Sequence, residues 1–342
     1  MTARLMLAGA VAALLLAVPT TAGAVGGLGG PLFGLSVAPN GDLLVADAGA
    51  GVLIVRDDIV VSTIAAPGAT DVSALGNGSM WVTTAGQDPQ ADSGQALWRI
   101  SNGKARMIVN LFEFEETVNP DGNDPADSNP FDVQSLGGNA ALVVDAGGND
   151  LLRVDNRGNV DVLAVFPDEV VSTADIKSLA GCPDGPSFVC DLPDAIPGQA
   201  VPTSVAVGPD GWFYVGELKG FPGPTNESNV WKVTPGADNA SCPSADCVKV
   251  FDGGFTSIID LAFGPDGRLY VAELDEGGWA AVEIFESVTG GTINACDLST
   301  STCDEVATGI PVLTALTFGK DGTLWATRNA LTQGAGEVVA IP

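Results

Sequence analysis

Val205-Ala-Val-Gly-Pro-Asp-Gly-Trp-Phe-Tyr-Val-Gly-Glu217 and Leu261-Ala-Phe-Gly-Pro-Asp-Gly-Arg-Leu-Tyr-Val-Ala-Glu273 decide the fold. Each is an apolar run, a Pro-Asp-Gly turn, and a second apolar run ending on a carboxylate. Asp-Gly and Asn-Gly supply the positive φ that a tight hairpin requires, and the flanking Val, Phe, Tyr and Trp are strand formers. Working outward, Leu35–Asp47 and Leu316–Arg328 repeat the pattern, and Val72–Thr84 and Val133–Asp145 repeat it more weakly. The runs are apolar at consecutive positions, so both faces of each hairpin are expected to be covered, as in the stacked blades of a propeller.

A third strand follows each copy, at Val52–Arg56, Ala96–Ile100, Leu151–Val154, Val230–Val233, Val282–Phe285 and Val338–Ile341, and a fourth usually follows that. Four strands repeated six times predict an all-β, six-bladed β-propeller of four-stranded antiparallel blades. Helix signals are nearly absent beyond the N-terminal segment. The sixth blade runs out after three strands. Its fourth must come from Val25-Gly-Gly-Leu-Gly-Gly30, a poor strand sequence, so closure of the ring is expected to be weak or open.

The N-terminus reads as a secretory signal peptide over residues 1–24: Arg4, an apolar stretch from Leu5 to Val18, then Ala22-Gly23-Ala24. The stretch is too short for an ordinary membrane span. A secreted, extracellular protein without a membrane anchor is expected, one propeller domain over 25–342, and a monomer. Export permits disulfides, and six cysteines fall into close pairs, Cys182/Cys190, Cys242/Cys247 and Cys296/Cys303. Each local loop would contribute about 2–3 kcal/mol in the chain-entropy model.

The composition narrows function. There are 42 acidic and 14 basic residues, a formal net charge of −28, and no histidine. Nucleic acid and anionic lipid are therefore not expected partners. Ser-His-Asp and Cys-His nucleophiles and imidazole metal sites are excluded.

Aligning the repeats gives one residue per blade at the start of the innermost strand: Gly34, Asp71, Asp132, Ser204, Asp260 and Ala315. The neighbouring column is Phe33, Thr70, Phe131, Thr203, Ile259 and Thr314. Both should face the mouth of the central channel. Asp71, Asp132 and Asp260, with the Asn129 amide, are hard oxygen donors of the kind that hold Ca²⁺. The competing reading is a set of carboxylates bonded within their own loops. A further column closes the second strands: Asp47, Thr84, Asp145, Glu217, Glu273 and Arg328. Asp145, Glu217, Glu273, Arg328, Thr203 and Ser204 are the candidate ligand-binding residues. The loop Asn119–Asn129 carries Asp121, Asp124 and Asp127 at every third position, without EF-hand spacing or its terminal Glu, and reads as a solvated acidic loop.

Asn129-Pro-Phe-Asp-Val133, Val143–Val154, Val201-Pro-Thr-Ser-Val205, Gly216-Glu-Leu-Lys-Gly-Phe-Pro222 and Ile258–Gly267 resemble the ScyD/ScyE family of exported proteins. The resemblance implies an NHL-like propeller and brings no defined catalytic residues. The expected function is binding or scaffolding of a small molecule or exported protein through the loop-bearing face. The alternative is a Ca²⁺-dependent hydrolase or lactonase, its ion on the aspartate ring and Glu217 or Glu273 as base.

Overall fold

The structure is a computed structural model describing residues 23–92 and 94–342. The leader reading, apart from Gly23 and Ala24, lies outside the described residues. The chain forms the six-bladed β-propeller predicted from the repeats, each blade running outward from an innermost strand. The innermost strands are Leu32–Val37, Ala69–Gly76, Pro130–Ser135, Pro202–Val207, Ile258–Phe263 and Leu316–Phe318.

Alternation along the second strands explains their consecutive apolar residues. In blade 1, Leu43 and Val45 pack toward blade 6, whereas Leu44 and Ala46 pack toward blade 2. In blade 3, Ala141 and Val143 face blade 2 and Leu142 and Val144 face blade 4. Six apolar clusters result, one between each pair of neighbouring blades.

Ring closure departs from the expectation. Ala24–Leu28 is the fourth strand of blade 6, antiparallel to Gly336–Ile341, with Val25 opposite Val338 and Leu28 opposite Gly336. Val25 and Leu28 are buried, and Gly26 and Gly27 form the bulge between them. The glycines make room for what they cover. A Cβ on Gly26 would lie 3.2 Å from Glu337, and one on Gly23 would lie 3.1 Å from the Trp325 ring. Closer to the axis, the Thr314 hydroxyl donates to the Leu32 carbonyl at 2.7 Å, joining blade 6 to blade 1 again.

Blade 5 also differs. Val282–Phe285 is not its third strand; Gly291–Asp297 is. The run Gly278-Trp-Ala-Ala-Val-Glu283 is a short helix lying on blade 5, its Trp279 amide bonded to the Ser257 hydroxyl. With α1 (Leu111–Val118), α2 (Ala174–Leu179) and α3 (Ser187–Cys190), this helix, α4 (Gly278–Glu283), makes four helices among the described residues, all in long loops. Among the described residues, no helix is long and apolar enough to cross a membrane.

All three cysteine pairs are disulfides. Cys242–Cys247 closes a loop of blade 4 whose residues Ala240–Ser241 add a parallel fifth strand to blade 3. Covering that outer edge removes unpaired backbone from solvent.

Leu28 should therefore behave as a core residue. Leu28→Ala is expected to lower stability by about 2–3 kcal/mol in urea unfolding, whereas an unpaired, frayed N-terminus would leave the midpoint unchanged.

Candidate functional site

The site begins with a backbone irregularity that five blades share. Each innermost strand slips register by one residue near its start, between Leu32/Gly34, Ala69/Asp71, Pro130/Asp132, Pro202/Ser204 and Ile258/Asp260. The skipped residues are Phe33, Thr70, Phe131, Thr203 and Ile259. A bulge re-aims the extra side chain, so two consecutive positions both turn toward the axis, where strict alternation would bring only one.

These two positions serve two chambers. Phe33, Phe131, Ile259, Thr203 and Thr314 wall an apolar chamber with Asn129, Leu218, Leu274 and Glu283, its free volume about 30 Å³. Phe33 and Phe131 meet edge to face with ring centres 5.8 Å apart. Asp71, Asp132 and Asp260 border a separate polar chamber of about 410 Å³. Asn129 and the three aspartates therefore belong to different chambers.

Odd and even blades use the first of these two positions differently. Blades 1, 3 and 5 supply Phe33, Phe131 and Ile259 to the apolar chamber. Blades 2, 4 and 6 supply threonines that latch the next blade. Thr70 donates to the Pro130 carbonyl at 2.6 Å, Thr203 to that of Ile258 at 2.6 Å, and Thr314 to that of Leu32. Thr203 is thus a latch as well as a chamber wall. Ser204 is fully buried, and its hydroxyl has no partner among the described residues.

The aspartate ring works the same way. An innermost strand leaves one backbone edge facing the channel, and its N–H groups need acceptors. Asp71 accepts from the Val133 amide at 3.1 Å, Asp132 from Val205 at 2.6 Å, and Asp260 from Leu316 at 2.7 Å. Each carboxylate reaches one blade forward. Gly34 completes the ring, because a Cβ there would lie 2.0 Å from Asp71. Burial first, then the Asp132 charge and a hydrogen bond to it, lifts Asp71 well above the ordinary carboxylate range. Burial and the Asp132 charge do the same to Asp260. Burial raises Asp132 as well, against hydrogen bonds from Asp71 and from backbone amides. Among the described residues, no group of three or more His, Cys, Asp or Glu is drawn together to hold one metal ion.

The carboxylates closing the second strands are bound within the fold. Asp145 accepts from the Ser128 hydroxyl at 2.6 Å and from the amides of Asn129, Gly147 and Gly148 at 2.6, 3.0 and 3.1 Å. Asp47 is capped likewise by Gly30, Gly49 and Ala50. Glu273 accepts from the Thr256 amide and, at 2.6 Å, from Asn294. Arg328 pairs with Glu337.

Glu217 has a partner the sequence reading missed. Lys219 is buried, 2.6 Å from Glu217 and 2.7 Å from Glu169. Trp231 and Asn229 donate to Glu217, and Lys249 reaches Glu169 at 2.6 Å. Burial raises Glu217 despite Lys219. At Glu169 burial is outweighed by the hydrogen bonds from Lys219 and Lys249, which hold it down to about 2.

Glu283 was missed too, because its segment was read as a strand. It ends α4 at the apolar chamber. No hydrogen bond or ion pair reaches it among the described residues, and burial alone pushes it up to about 7. The Gly277-Gly278 pair preceding an Ala-rich run was the available signal for a helix.

Two outcomes follow. Lys219→Met leaves Glu217 without its counter-charge and should cost about 3–5 kcal/mol in urea unfolding; an unchanged midpoint would show the pair to be dispensable. Glu283 and Glu273 both sit near 7, the latter raised chiefly by burial. Acids raised above their unfolded values bind protons more tightly when folded. Their stabilisation is complete below the unfolded value near 4 and is lost as pH rises through about 7. The melting temperature should therefore rise between pH 8 and pH 5, and Glu283→Gln should flatten part of that slope.

No family model matches the chain, and no curated protein matches it. Solved structures do. The chain is similar to a gluconolactonase from Xanthomonas campestris, at 14% identity and TM-score 0.56 over 93% of this chain and 88% of that one. It is similar to a soluble aldose sugar dehydrogenase from Escherichia coli, at 13% identity and TM-score 0.53 over 92% and 96%. It is also similar to a catalytically inactive virginiamycin B lyase variant from Staphylococcus aureus with quinupristin, at 13% identity and TM-score 0.51 over 88% and 78%. At these identities the likeness is one of fold, and it places the chain among β-propeller proteins.

Proposed function

We propose that the chain is an exported, ScyD/ScyE-like binding propeller whose axial apolar chamber receives the tip of an apolar group carrying an amine. The observation that carries this reading is Glu283, an unpartnered carboxylate and the one charged group at a chamber walled mainly by apolar side chains, with Asn129, Thr203 and Thr314 as its neutral polar residues. A mainly apolar pocket with a few convergent polar groups is the usual form of a small-molecule site. Near neutral pH part of the Glu283 population is charged, and an ammonium beside it gains a charge-assisted hydrogen bond. The chamber admits only a small apolar tip, so the rest of the ligand, a small molecule or an exported protein, rests on the surrounding loops. Export is supported by the leader-like N-terminus and the three disulfides.

Binding is favoured over hydrolysis by where the carboxylates point. Asp71, Asp132 and Asp260 accept backbone amides, and Glu217 and Glu273, the two candidate bases, are held by Lys219 and Asn294. The inactive lyase variant among the similar structures carries alanine in place of a histidine, and this chain has no histidine.

Calorimetric titration with short alkylamines, and with alcohols and carboxylic acids of matched chain length, tests the proposal. The amine should bind best. Its affinity should fall about tenfold in Glu283→Gln, the loss of one charged hydrogen bond, and disappear in Ile259→Trp, which fills the chamber. Amine affinity should also decline as pH drops below about 7. Equal binding of amine and acid would overturn the reading. So would Asp132-dependent ring opening of a lactone panel, which would establish the hydrolase instead.

A further inference from the structure

Away from the axis, α1 lies across the second hairpin of blade 3 and lowers a carboxylate onto it. Glu115 is buried, and a Cβ on Gly148 in the hairpin turn would lie 2.9 Å from its carboxyl group. Asp150 opens the third strand just beyond that turn and is fully buried. Burial first, then the nearby charges of Asp145 and Asp121, raises both groups, and the Glu115 charge adds to the effect at Asp150. No salt bridge reaches any of these groups among the described residues. Two of the surrounding acids are satisfied: Asp145 holds four donors, and Asp121 accepts from Asn123 and Asn149.

Glu115 and Asp150 are not satisfied. Both Asp150 oxygens and Glu115 Oε1 are buried without a hydrogen-bond partner among the described residues. So is the Oδ1 of Asn119, the residue that caps α1 one turn beyond Glu115. Four orphaned oxygen acceptors, two of them on a wholly buried carboxylate, lie in a part of the fold that supplies no cation. Elsewhere the same chain is thrifty with buried acceptors, giving Asp47, Asp145 and Asp275 three or four donors each.

We infer that Glu115, Asp150 and the Asn119 amide oxygen form a Ca²⁺ site that locks α1 and the 119–129 loop onto blade 3. Two carboxylates and an amide are hard donors, and Ca²⁺ accepts irregular oxygen shells completed by water or backbone carbonyls. Mg²⁺ demands a near-ideal octahedron and gives up its water reluctantly, which a site under a helix disfavours. Asp121 and Asp127 add negative potential without being required as ligands, so the site differs from the solvated acidic loop expected from the sequence. It is also separate from the aspartate ring of the channel and from the Glu283 chamber.

The test is the melting temperature of the purified protein in EDTA and in millimolar Ca²⁺ at fixed ionic strength, with calorimetry for stoichiometry. A native-state ligand above its Kd raises the melting temperature, and a rise of several degrees with one ion bound is expected. Asp150→Asn should abolish that rise yet melt no lower than the parent in EDTA, because it replaces a buried acid whose two oxygens have no partner. Glu115→Gln should do the same, and serves if Asp150→Asn fails to fold. Asp132→Asn in the channel should keep the full rise, and Mg²⁺ should give a smaller one. The inference is overturned if Ca²⁺ produces no rise, or if the rise survives in Asp150→Asn and Glu115→Gln. It is overturned equally if the rise vanishes in Asp132→Asn alone, or if Asp150→Asn is destabilised as much in EDTA as in Ca²⁺.

Discussion

A sheet that is apolar on both faces cannot be stable alone, and this constraint governs the whole molecule. Leu43 and Val45 need blade 6, and Leu44 and Ala46 need blade 2. The same holds around the ring, so each blade is finished only by its neighbours. The first and last segments of the chain must then meet. Ala24–Leu28 supplies the outer strand of the blade whose inner strands come from the C-terminus. The two buried residues in that strand, Val25 and Leu28, join the apolar layer that also holds Leu32 and Val338. Closure is thus part of the core rather than a surface clasp.

Closing the ring creates a second demand at its centre, where six innermost strands present backbone edges to a channel. The shared bulge answers it. By placing two consecutive residues toward the axis, it lets one position serve the backbone and the other the chamber. Asp71, Asp132 and Asp260 accept the amides of the blade ahead, while Thr70, Thr203 and Thr314 donate to its carbonyls. At the position of those threonines, blades 1, 3 and 5 place Phe33, Phe131 and Ile259 in the chamber instead. The alternation gives the axis a pseudo-threefold character that six equivalent blades would lack.

Legibility in the sequence tracked how local each feature is. The Asp-Gly and Asn-Gly turns were readable because positive φ is a property of single residues, and Gly41, Gly78, Gly211, Gly267 and Gly322 all adopt it. The inward columns were readable because they sit at a fixed offset from those turns. The disulfide pairs were readable because each joins cysteines five to eight residues apart. The closing strand was not, because Gly26 is explained only by Glu337, more than 300 residues away in the sequence. Helix α4 was not, because Trp279 through Val282 are apolar at every position, and four such residues satisfy a strand or a helix equally. Lys219 was not singled out, because only the fold buries it against Glu217 and Glu169.

Acidity is the property that a composition-level reading explains least well. Solubility accounts for exposed carboxylates, yet many here are buried. Most serve as acceptors for backbone that the propeller leaves unpaired. A carboxylate suits that role because it offers several lone pairs and no competing donor. Asp145, with four donors, shows the arrangement at its fullest. Against this background the exceptions stand out by physics rather than by position. Glu283 lies at an apolar chamber with nothing to accept from, and Asp150 is wholly enclosed with both oxygens idle. Burying a charge without a partner is among the costlier things a fold can do. A chain that gives Asp47, Asp145 and Asp275 three or four donors each has the means to satisfy these as well, and the open acids are where the proposed amine and Ca²⁺ would bind.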